Sequence, residues 1–225
     1  MNSPIDPAQT PESAATTTTR PRIGRVSGSK NSAMQDRAVR TREAILTDAA
    51  QHFDVGGYGN TSINTILAAS HFAKGAFYYH FPSKEAIAQQ LIGDWNLAVD
   101  EAINDTAVNA AGETAFDRLA AIFSFLARKI TDDVTLRAGM KLTLEASIDN
   151  GAAFAHWVDA ISDIVETAIT AGEYADSPIV HRLAWNLCAG TVGAVQAAAT
   201  LREDVDVATR VQDVVIAHLK SLAAS

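Results

Sequence analysis

Apolar residues recur at helical spacing in the first third of the chain. Ile45, Ala49 and Phe53 stand four residues apart, which predicts an amphipathic helix from about Thr41 to Val55. The pair Gly56-Gly57 is expected to end this helix, because glycine adopts the left-handed capping conformation without steric cost.

Two shorter helices, separated by a turn over residues 69–72, are predicted next. Thr61 or Ser62 suits the N-cap of the first, since a hydroxyl there accepts a hydrogen bond from a free backbone N–H. The second runs from about Ala73 to His80. Two helices joined by such a turn form a helix-turn-helix, whose second helix enters the major groove of DNA.

The remaining chain keeps the helical pattern. A fourth helix begins after Pro82-Ser83 and continues toward Ile103, which makes it long enough to join two domains. Further helices are predicted over Phe116–Lys129, Leu136–Ile148, Ala153–Thr170, Pro178–Leu201 and Val205–Leu222. No run alternates between apolar and polar residues as a half-buried strand does. The sequence therefore predicts an all-α fold, in which an N-terminal three-helix helix-turn-helix DNA-binding domain precedes a C-terminal helical ligand-binding and dimerisation domain.

Residues 1–36 differ from the rest in composition. They contain four of the six prolines and almost no large apolar residues. Such a segment cannot bury enough apolar surface to offset the entropy lost on ordering it. We therefore expect a disordered arm over 1–36, the DNA-binding domain over 37–87, and the ligand-binding and dimerisation domain over 88–225.

Charge is distributed unevenly along the chain, whose formal net charge is −8. Residues 20–90 carry nine basic and five acidic side chains, a net +4, whereas residues 91–225 carry nine basic and nineteen acidic ones, a net −10. This uneven charge distribution favours DNA binding through the N-terminal part only, because electrostatic repulsion keeps the acidic C-terminal part away from the phosphates. A charge bias without any partner explains the composition equally well.

Three further features restrict the class of protein. The single cysteine, Cys188, excludes an intrachain disulfide and fits a reducing cytoplasm. The charge-free run Leu183–Leu201 is too rich in alanine, glycine and polar residues for a membrane span. The histidines show no metal-ligand spacing, and no glycine-rich phosphate loop or G-x-S-x-G element is present. We therefore expect a soluble cytoplasmic protein that is not an enzyme, uses no metal or cofactor, and has no membrane partner.

The third predicted helix carries residue types that suit a DNA interface. Small residues at its start let the backbone approach the groove, and basic, hydroxyl and imidazole groups can donate to phosphates. The groove candidates are Lys74, Gly75 and Ala76, and the phosphate candidates are Thr61, Ser62, Tyr78, His80 and Lys84. Phe77 and Phe81 are expected to pack inward. Taken singly, the lysines also suit a solvated surface, and the aromatic residues a core or an interface.

The segment from Gly57 to Glu85 resembles the N-terminal domain of the TetR family of transcriptional repressors. Its letters GYGNTSI and KGAFYYHFPSKE match the family patterns G-Y-x-x-T-(S/T)-I and K-G-x-x-Y-x-H-F-x-(S/N)-K-(E/D). The resemblance implies DNA-backbone contacts from the five phosphate candidates and groove contacts from residues 74–76. One departure is His71, which stands in the turn where the family usually has glycine. Histidine tolerates a left-handed conformation better than most residues, so we expect the turn to form with some strain.

The C-terminal part places isolated large aromatic residues among many alanines, glycines and threonines, which leaves room for a mostly apolar cavity. Trp157 suits the wall of such a pocket, although a plain core tryptophan explains it as well. The segment Val134–Leu142, VTLRAGMKL, with Trp157 behind it, resembles the γ-butyrolactone autoregulator receptor branch of the family. That resemblance implies that Trp157 packs on a signal molecule, with Thr143 as a hydroxyl partner. Phe123 and Leu126 are further candidate ligand-binding residues.

These observations lead us to expect a homodimeric repressor that leaves a pseudo-palindromic operator on binding a γ-butyrolactone, butenolide or furan signal. It would control antibiotic or other secondary-metabolite genes. The dimer interface is expected on the last two helices, where small residues such as Gly190 and Gly193 allow close approach. Two alternatives stay open: a TetR-like regulator of efflux or catabolism with another ligand, and a helical small-molecule-binding protein or enzyme.

Overall fold

The computed structural model of the chain describes residues 28–70, 72–109, 113–150, 152–201 and 205–223. The chain divides into two compact units, Met1–Arg37 and Ala38–Ser225. All regular secondary structure among the described residues is helical, as the sequence predicts. In chain order the helices are α1 (Gly28–Gly56), α2 (Ile63–Ala69), α3 (Lys74–His80), α4 (Lys84–Asn109), α5 (Ala115–Asp132), α6 (Val134–Leu142), α7 (Ala153–Thr170), α8 (Pro178–His181), α9 (Leu183–Leu201) and α10 (Val207–Ala223).

The first helix begins earlier than the apolar pattern indicates. It starts at Gly28, so residues 28–36, which the composition assigns to a disordered arm, form the first turns of α1. These positions contain no proline and several good helix formers, but they carry no apolar stripe that would reveal a helix in the sequence. Residues 1–27 of the expected arm lie outside the described part of the chain.

A first hydrophobic cluster packs the short helices α2 and α3 against α1. Ile45 of α1, Ile66 of α2 and Phe77 of α3 are fully buried in it, and Phe81 is buried beside them. The inward packing predicted for the two phenylalanines is thereby confirmed. We call residues 38–83 the head and residues 84–223 the body.

Local capping sets the geometry of the head. Gly57 ends α1 with a φ of 77°, the left-handed conformation predicted for the glycine pair. Ser62 caps α2, because its hydroxyl oxygen accepts a hydrogen bond of 3.0 Å from the N–H of Thr65. The hydroxyl of Ser83 accepts a bond of the same length from the N–H of Ala86 and so begins α4. His71, the departure from the family pattern, lies outside the described residues.

The body is built around a second hydrophobic cluster formed by α4, α5, α7, α9 and α10. Trp95, Phe123 and Trp157 are among its largest buried side chains. Helix α5 begins with a capping box, in which the Thr114 hydroxyl accepts from the Asp117 N–H and the Asp117 carboxylate accepts from the Thr114 N–H. Both clusters reach α4, which therefore connects the head with the core of the body.

Two predicted helices of the body differ from the observed ones. The helix expected over 136–148 ends at Leu142, because the Asn150 amide donates to the carbonyls of Thr143 and Glu145 and stabilises a non-helical turn there. The helix expected over 178–201 is interrupted at Arg182, so that the short α8 precedes α9. The bounds of α7 agree with the prediction.

One predicted dimer residue has a role inside the chain. A Cβ added at Gly190 of α9 would lie 2.8 Å from a methyl group of Val214, so this glycine allows close packing of α9 on α10 of the same chain. A Cβ at Gly193 would meet nothing within 4 Å. The small-residue pattern of α9 therefore serves at least one contact within the protomer.

Candidate functional site

The outer face of α3 carries exposed polar and aromatic side chains. Lys74, Gly75 and Tyr79 are exposed, and 43% of Tyr78 is accessible to solvent. A Cβ added at Gly75 would meet no atom within 4 Å. Helix α3 therefore offers an open face whose first turn brings little side-chain bulk near an approaching surface.

Contacts along α3 order the basic and phenolic groups of this face. The ammonium group of Lys74 lies 5.9 Å from the centroid of the Tyr78 ring, within reach of a weak cation–π attraction. The rings of Tyr79 and His80 meet edge to face with centroids 5.0 Å apart. Ala76 and His80 are half-buried. The phenol of Tyr78 and the ammonium of Lys74 thus face outward together on successive turns.

Two of the predicted phosphate contacts have partners inside the head. Thr61 is only 5% exposed, and its hydroxyl donates to the carbonyls of Gly57 at 2.9 Å and His52 at 3.2 Å. The Lys84 ammonium donates to the carbonyls of Tyr58 at 2.8 Å and Thr61 at 3.0 Å. It also lies 3.8 Å from the centroid of the Tyr58 ring. These two side chains fix the turn before α2, whereas the exposed Ser62 at its N-terminus has its hydroxyl hydrogen-bonded to the N–H and the hydroxyl of Thr65.

The body is attached to the head by an ionic contact that sequence reasoning missed. The Asp54 carboxylate, near the end of α1, accepts from Arg137 Nε at 3.1 Å and from Lys141 Nζ at 2.8 Å. The Lys141 ammonium also donates to the Asp54 carbonyl oxygen at 3.2 Å. The three side chains are between 12% and 22% exposed, so solvent screens these pairs only partly.

Arg137 and Lys141 belong to the segment Val134–Leu142, whose letters carry the family resemblance. Their spacing of four residues places both on one face of α6, and this spacing was the available signal that they share an anionic partner. The identity of that partner, Asp54, has no local signal, because it lies more than 80 residues away.

The glycine of the same motif lets α6 approach α4 closely. A Cβ at Gly139 would overlap the Leu91 carbonyl and would lie 3.2 Å from Trp95 Cβ. Only glycine therefore permits this separation of the two helices. The segment Val134–Leu142, called the joint below, connects the body with the head. Its two cationic side chains bind the end of α1, and its glycine packs against α4.

The four predicted ligand-binding residues lie in the core near this joint. Trp157 is fully buried and contacts Trp95 at a ring-centroid distance of 5.0 Å, Phe154 at 6.1 Å and Phe123 at 6.0 Å. Leu126 belongs to the same cluster. The Trp157 indole N–H is buried without a hydrogen-bond partner. Such a donor is a reason to look for an acceptor that binds there.

Thr143 lies directly after the C-terminal end of α6. It is 2% exposed, and its hydroxyl donates to the Met140 carbonyl at 2.7 Å. Its proton is therefore used within the helix, while the oxygen keeps capacity to accept a bond. The structure thus places Trp157, Phe123 and Leu126 in one cluster and gives Thr143 a local hydrogen bond.

Two cavities adjoin these elements. One of about 370 Å³ lies between α4, α5 and α7 and is lined by residues that include Asp100, Arg118 and Ile164. Ile164 also belongs to the hydrophobic cluster that contains Trp157, so this cleft borders that cluster. The other, of about 330 Å³, lies where the head meets the body, with Asp54 and Lys141 in its wall.

Other kinds of site find little support in the described part of the chain. No group of three or more histidine, cysteine, aspartate or glutamate side chains there is arranged to hold a metal ion. Burial raises the pKa of the Cys188 thiol well above its usual value, so the sulfur stays protonated and unreactive. None of the described helices combines the length and apolar character needed to cross a membrane.

Comparisons with known proteins agree with this geometry. The family model of bacterial regulatory proteins of the tetR family matches residues 45–91. The A-factor receptor protein of Streptomyces griseus is 32% identical over 142 residues, which are 63% of this chain and 49% of that protein. The chain therefore spans about half the length of this curated relative.

Two solved structures extend the likeness over most of the chain. Full-length TylP, a TetR regulator from Streptomyces fradiae, is 29% identical with a TM-score of 0.58, covering 84% of this chain and 81% of that one. A gamma-butyrolactone receptor described as ArpA-like is 25% identical with a TM-score of 0.62, covering 82% of this chain and 98% of that one. The head matches the family model of tetR-type regulators over residues 45–91, and the helical head and body together are similar to these solved regulators of the TetR family.

Proposed function

We propose that the protein is a homodimeric transcriptional repressor that binds a pseudo-palindromic operator and leaves it when the body binds a small signal molecule. The observation that carries this proposal is the exposed face of α3, where Lys74, Gly75 and Tyr78 point outward from a helix fixed by Phe77 and Phe81. A short helix held so firmly, with an open first turn, suits insertion into a major groove.

The contacts proposed for DNA fall into two groups. Lys74, Gly75 and Ala76 contact base edges or the walls of the groove, while Ser62, Tyr78 and His80 donate to phosphates on either side. Thr61 and Lys84 do not contact DNA in this proposal. Their side chains fix the turn before α2, whose N-terminal N–H groups lie at the surface. This division changes the original expectation, in which all five phosphate candidates contacted DNA directly.

The proposed signal is a small molecule of the γ-butyrolactone, butenolide or furan type, and the controlled genes are those of antibiotic or other secondary metabolism. Support comes from the relatives, which include the A-factor receptor and a gamma-butyrolactone receptor. Further support comes from the buried Trp157 indole, whose N–H lacks an acceptor inside an apolar core. A lactone carbonyl supplies such an acceptor.

The proposed dimer pairs α9 and α10 with the same helices of a second chain. Trp185 and Leu201 of α9 are 58% and 63% exposed, which is costly for residues of that size unless a partner covers them. With a two-fold axis through this surface, we expect the two copies of α3 to lie about 34–36 Å apart or wider, as binding to successive major grooves on one face of DNA requires.

The experiment that tests the proposal is a gel shift at low salt with DNA from upstream of the protein's own gene. Wild-type protein is expected to retard this DNA and to release it as salt rises, because phosphate contacts displace counterions. Lys74→Ala and Tyr78→Phe are expected to weaken the complex, and Arg128→Ala, at an exposed arginine of α5, serves as the control. No retardation at low salt, or equal retardation by all four proteins, would overturn the proposal.

A further inference from the structure

The guanidinium group of Arg42, on α1, contacts two other elements of the structure. It lies 4.8 Å from the centroid of the Phe81 ring, and its Nη2 donates to Gln90 Oε1 on α4 at 2.7 Å. Phe81 is the C-cap residue of α3 and is only 3% exposed. A single side chain of α1 therefore connects the end of α3 with α4.

The contact continues along α4. Gln90 Nε2 donates to a carboxylate oxygen of Asp94, one turn later on the same helix, at 2.8 Å. Reversing the Gln90 amide would turn its NH₂ group toward the guanidinium and its oxygen toward the carboxylate, and both contacts would be repulsive. The amide is therefore fixed in one orientation. Two hydrogen bonds in series connect a cation of the head with an anion of α4.

An arginine in a basic head suits a phosphate contact, but the Arg42 side chain is half-buried and its guanidinium has partners within the protein. A guanidinium group is planar, so it can stack on an aromatic ring and donate hydrogen bonds within its plane at the same time. Arg42 stacks on Phe81 and donates to Gln90 in this way. Such an arrangement fixes three helices relative to one another.

The turn of α4 that binds Arg42 also packs against the joint. Leu91, the residue after Gln90, has its carbonyl oxygen against Gly139 of α6. The joint binds Asp54, which lies twelve residues after Arg42 on α1, or about 18 Å along the helix. Two contacts at well-separated points of α1 therefore restrict the angle between α1 and α4.

We propose that Arg42 is a positioning residue for the DNA-binding helix: by stacking on Phe81 and binding Gln90, it fixes the orientation of α3 relative to α4. This inference rests on the proposed function and deepens it, because Arg42 acts on DNA binding without contacting DNA. Phe77 anchors α3 in the hydrophobic cluster, and Arg42 sets the direction of the helix at its C-terminal end.

The test uses full-length Arg42→Met, Gln90→Met and the corresponding double variant. Methionine keeps an unbranched side chain that can still pack on its neighbours, but it removes the hydrogen bond between the two positions. Arg128→Ala, which removes a positive charge from an exposed site of α5, is the control.

The first measurement is amide hydrogen exchange by NMR and requires no DNA. The Phe81 N–H donates to the Phe77 carbonyl at 2.9 Å and so reports on the end of α3, while Ile161 reports on the buried core of α7. We expect Phe81 to exchange roughly threefold to tenfold faster in each single variant, the factor for one lost hydrogen bond, and Ile161 to change less.

The exchange rates can overturn the positioning role in three ways. A wild-type rate for Phe81 in Arg42→Met protein would show that the contact does not hold the end of α3. Equal acceleration of Phe81 and Ile161 would show only a loss of overall stability. The double variant should exchange no faster than the faster single variant, because both changes remove the same contact. Additive effects would show that the two side chains act independently.

The second measurement is affinity for the upstream DNA, by fluorescence anisotropy at several salt concentrations. Arg42→Met and Gln90→Met should each bind roughly threefold to tenfold more weakly, with the wild-type slope of log affinity against log salt. A contact that only stabilises the fold would leave the affinity of folded protein unchanged. A direct phosphate ligand at Arg42 would lower the slope by about 0.9, and this result would also overturn the inference.

The two measurements separate this inference from the proposed function. If the wild-type protein binds no DNA at low salt while Phe81 exchange responds as expected, the repressor proposal fails and the positioning of α3 by Arg42 is supported. If the wild-type protein binds DNA and Arg42→Met protein binds it equally well, the positioning role fails and the repressor proposal is supported.

Discussion

The carboxylate of Asp54 lies 2.8 Å from the ammonium group of Lys141, although the two residues are 87 positions apart in the chain. Together with Arg137, this pair fixes α6 of the body to the last turn of α1 in the head. Helix α6 in turn contacts α4 through Gly139. Under the proposed function, a signal molecule that displaced α4 would act on α1 and the rest of the head through this short series of buried and half-buried contacts.

Replacing Asp54 should weaken this path. Asp54→Asn leaves two cations without their carboxylate, so the free energy of unfolding should fall by about 2 kcal/mol, the scale for bonds to charged groups. Asp48→Asn, on the same helix, serves as the control and should change it by less than about 0.5 kcal/mol. Urea denaturation measures both values. Equal stabilities of the two variants would show that the ionic contact contributes nothing.

Replacing Gly139 tests the close approach of α6 to α4. The new methyl group of Gly139→Ala would overlap the Leu91 carbonyl, so the helices must separate at a cost of about 1–3 kcal/mol. Gly93→Ala on α4 is the matched control, because a Cβ there meets no atom within 4 Å. That variant should gain about 0.5–1 kcal/mol from helix propensity. Thermal and urea unfolding would contradict this explanation if both alanines raised stability.

The two lysines of the head should behave differently. Lys84→Met removes the bonds to the Tyr58 and Thr61 carbonyls and should lower stability by about 2 kcal/mol, with DNA binding reduced as a consequence. Lys74→Met should leave stability within about 0.5 kcal/mol of wild type. It should instead weaken binding to the operator by about 1–3 kcal/mol, the scale of one lost contact with a base edge. If Lys84→Met is as stable as wild type, its ammonium is free to contact DNA after all.

A pH-dependent contact should stabilise the end of α7. His181 lies between Asp176 at 2.8 Å and Glu166 at 3.0 Å, and its hydrogen bonds to these carboxylates raise the pKa of its imidazole. A raised folded-state pKa means that the stabilisation is complete below the unfolded value of about 6.5 and disappears as the pH rises through the folded-state pKa.

His181→Gln removes this titration. The stability difference between wild type and variant should therefore be largest in mildly acidic buffer and should shrink toward mildly alkaline pH. Urea denaturation across that range measures the difference directly. A constant difference would mean that the imidazole does not gain protons on folding.

Patterns close in sequence predicted much of the head. The stripe through Ile45 and Phe53, the left-handed Gly57, the Ser62 cap and the inward Phe77 all depend on neighbours within one or two turns. The bounds of α7 were predicted for the same reason, since its apolar spacing is regular from end to end. Helix propensity and hydrophobic periodicity are sufficient to predict a structural feature when the contacts that determine it are local.

The remaining features depend on distant partners. Lys84 looks like a phosphate ligand until the Tyr58 carbonyl is found beside it, and Arg137 acquires a function only through Asp54. The end of α6 at Leu142 depends on the Asn150 amide in the following turn. In each case the tertiary fold determines which group a side chain contacts, and helical periodicity carries no information about that contact.

The central claim is that a ligand in the core controls DNA affinity. It is tested most directly by fluorescence anisotropy of labelled upstream DNA titrated with the protein, with and without saturating γ-decalactone. We predict that the lactone raises the Kd for DNA by at least about fivefold, the lower end of ordinary allosteric coupling. An unchanged Kd for DNA, measured while isothermal titration calorimetry shows that the lactone is bound to the protein, would contradict the account.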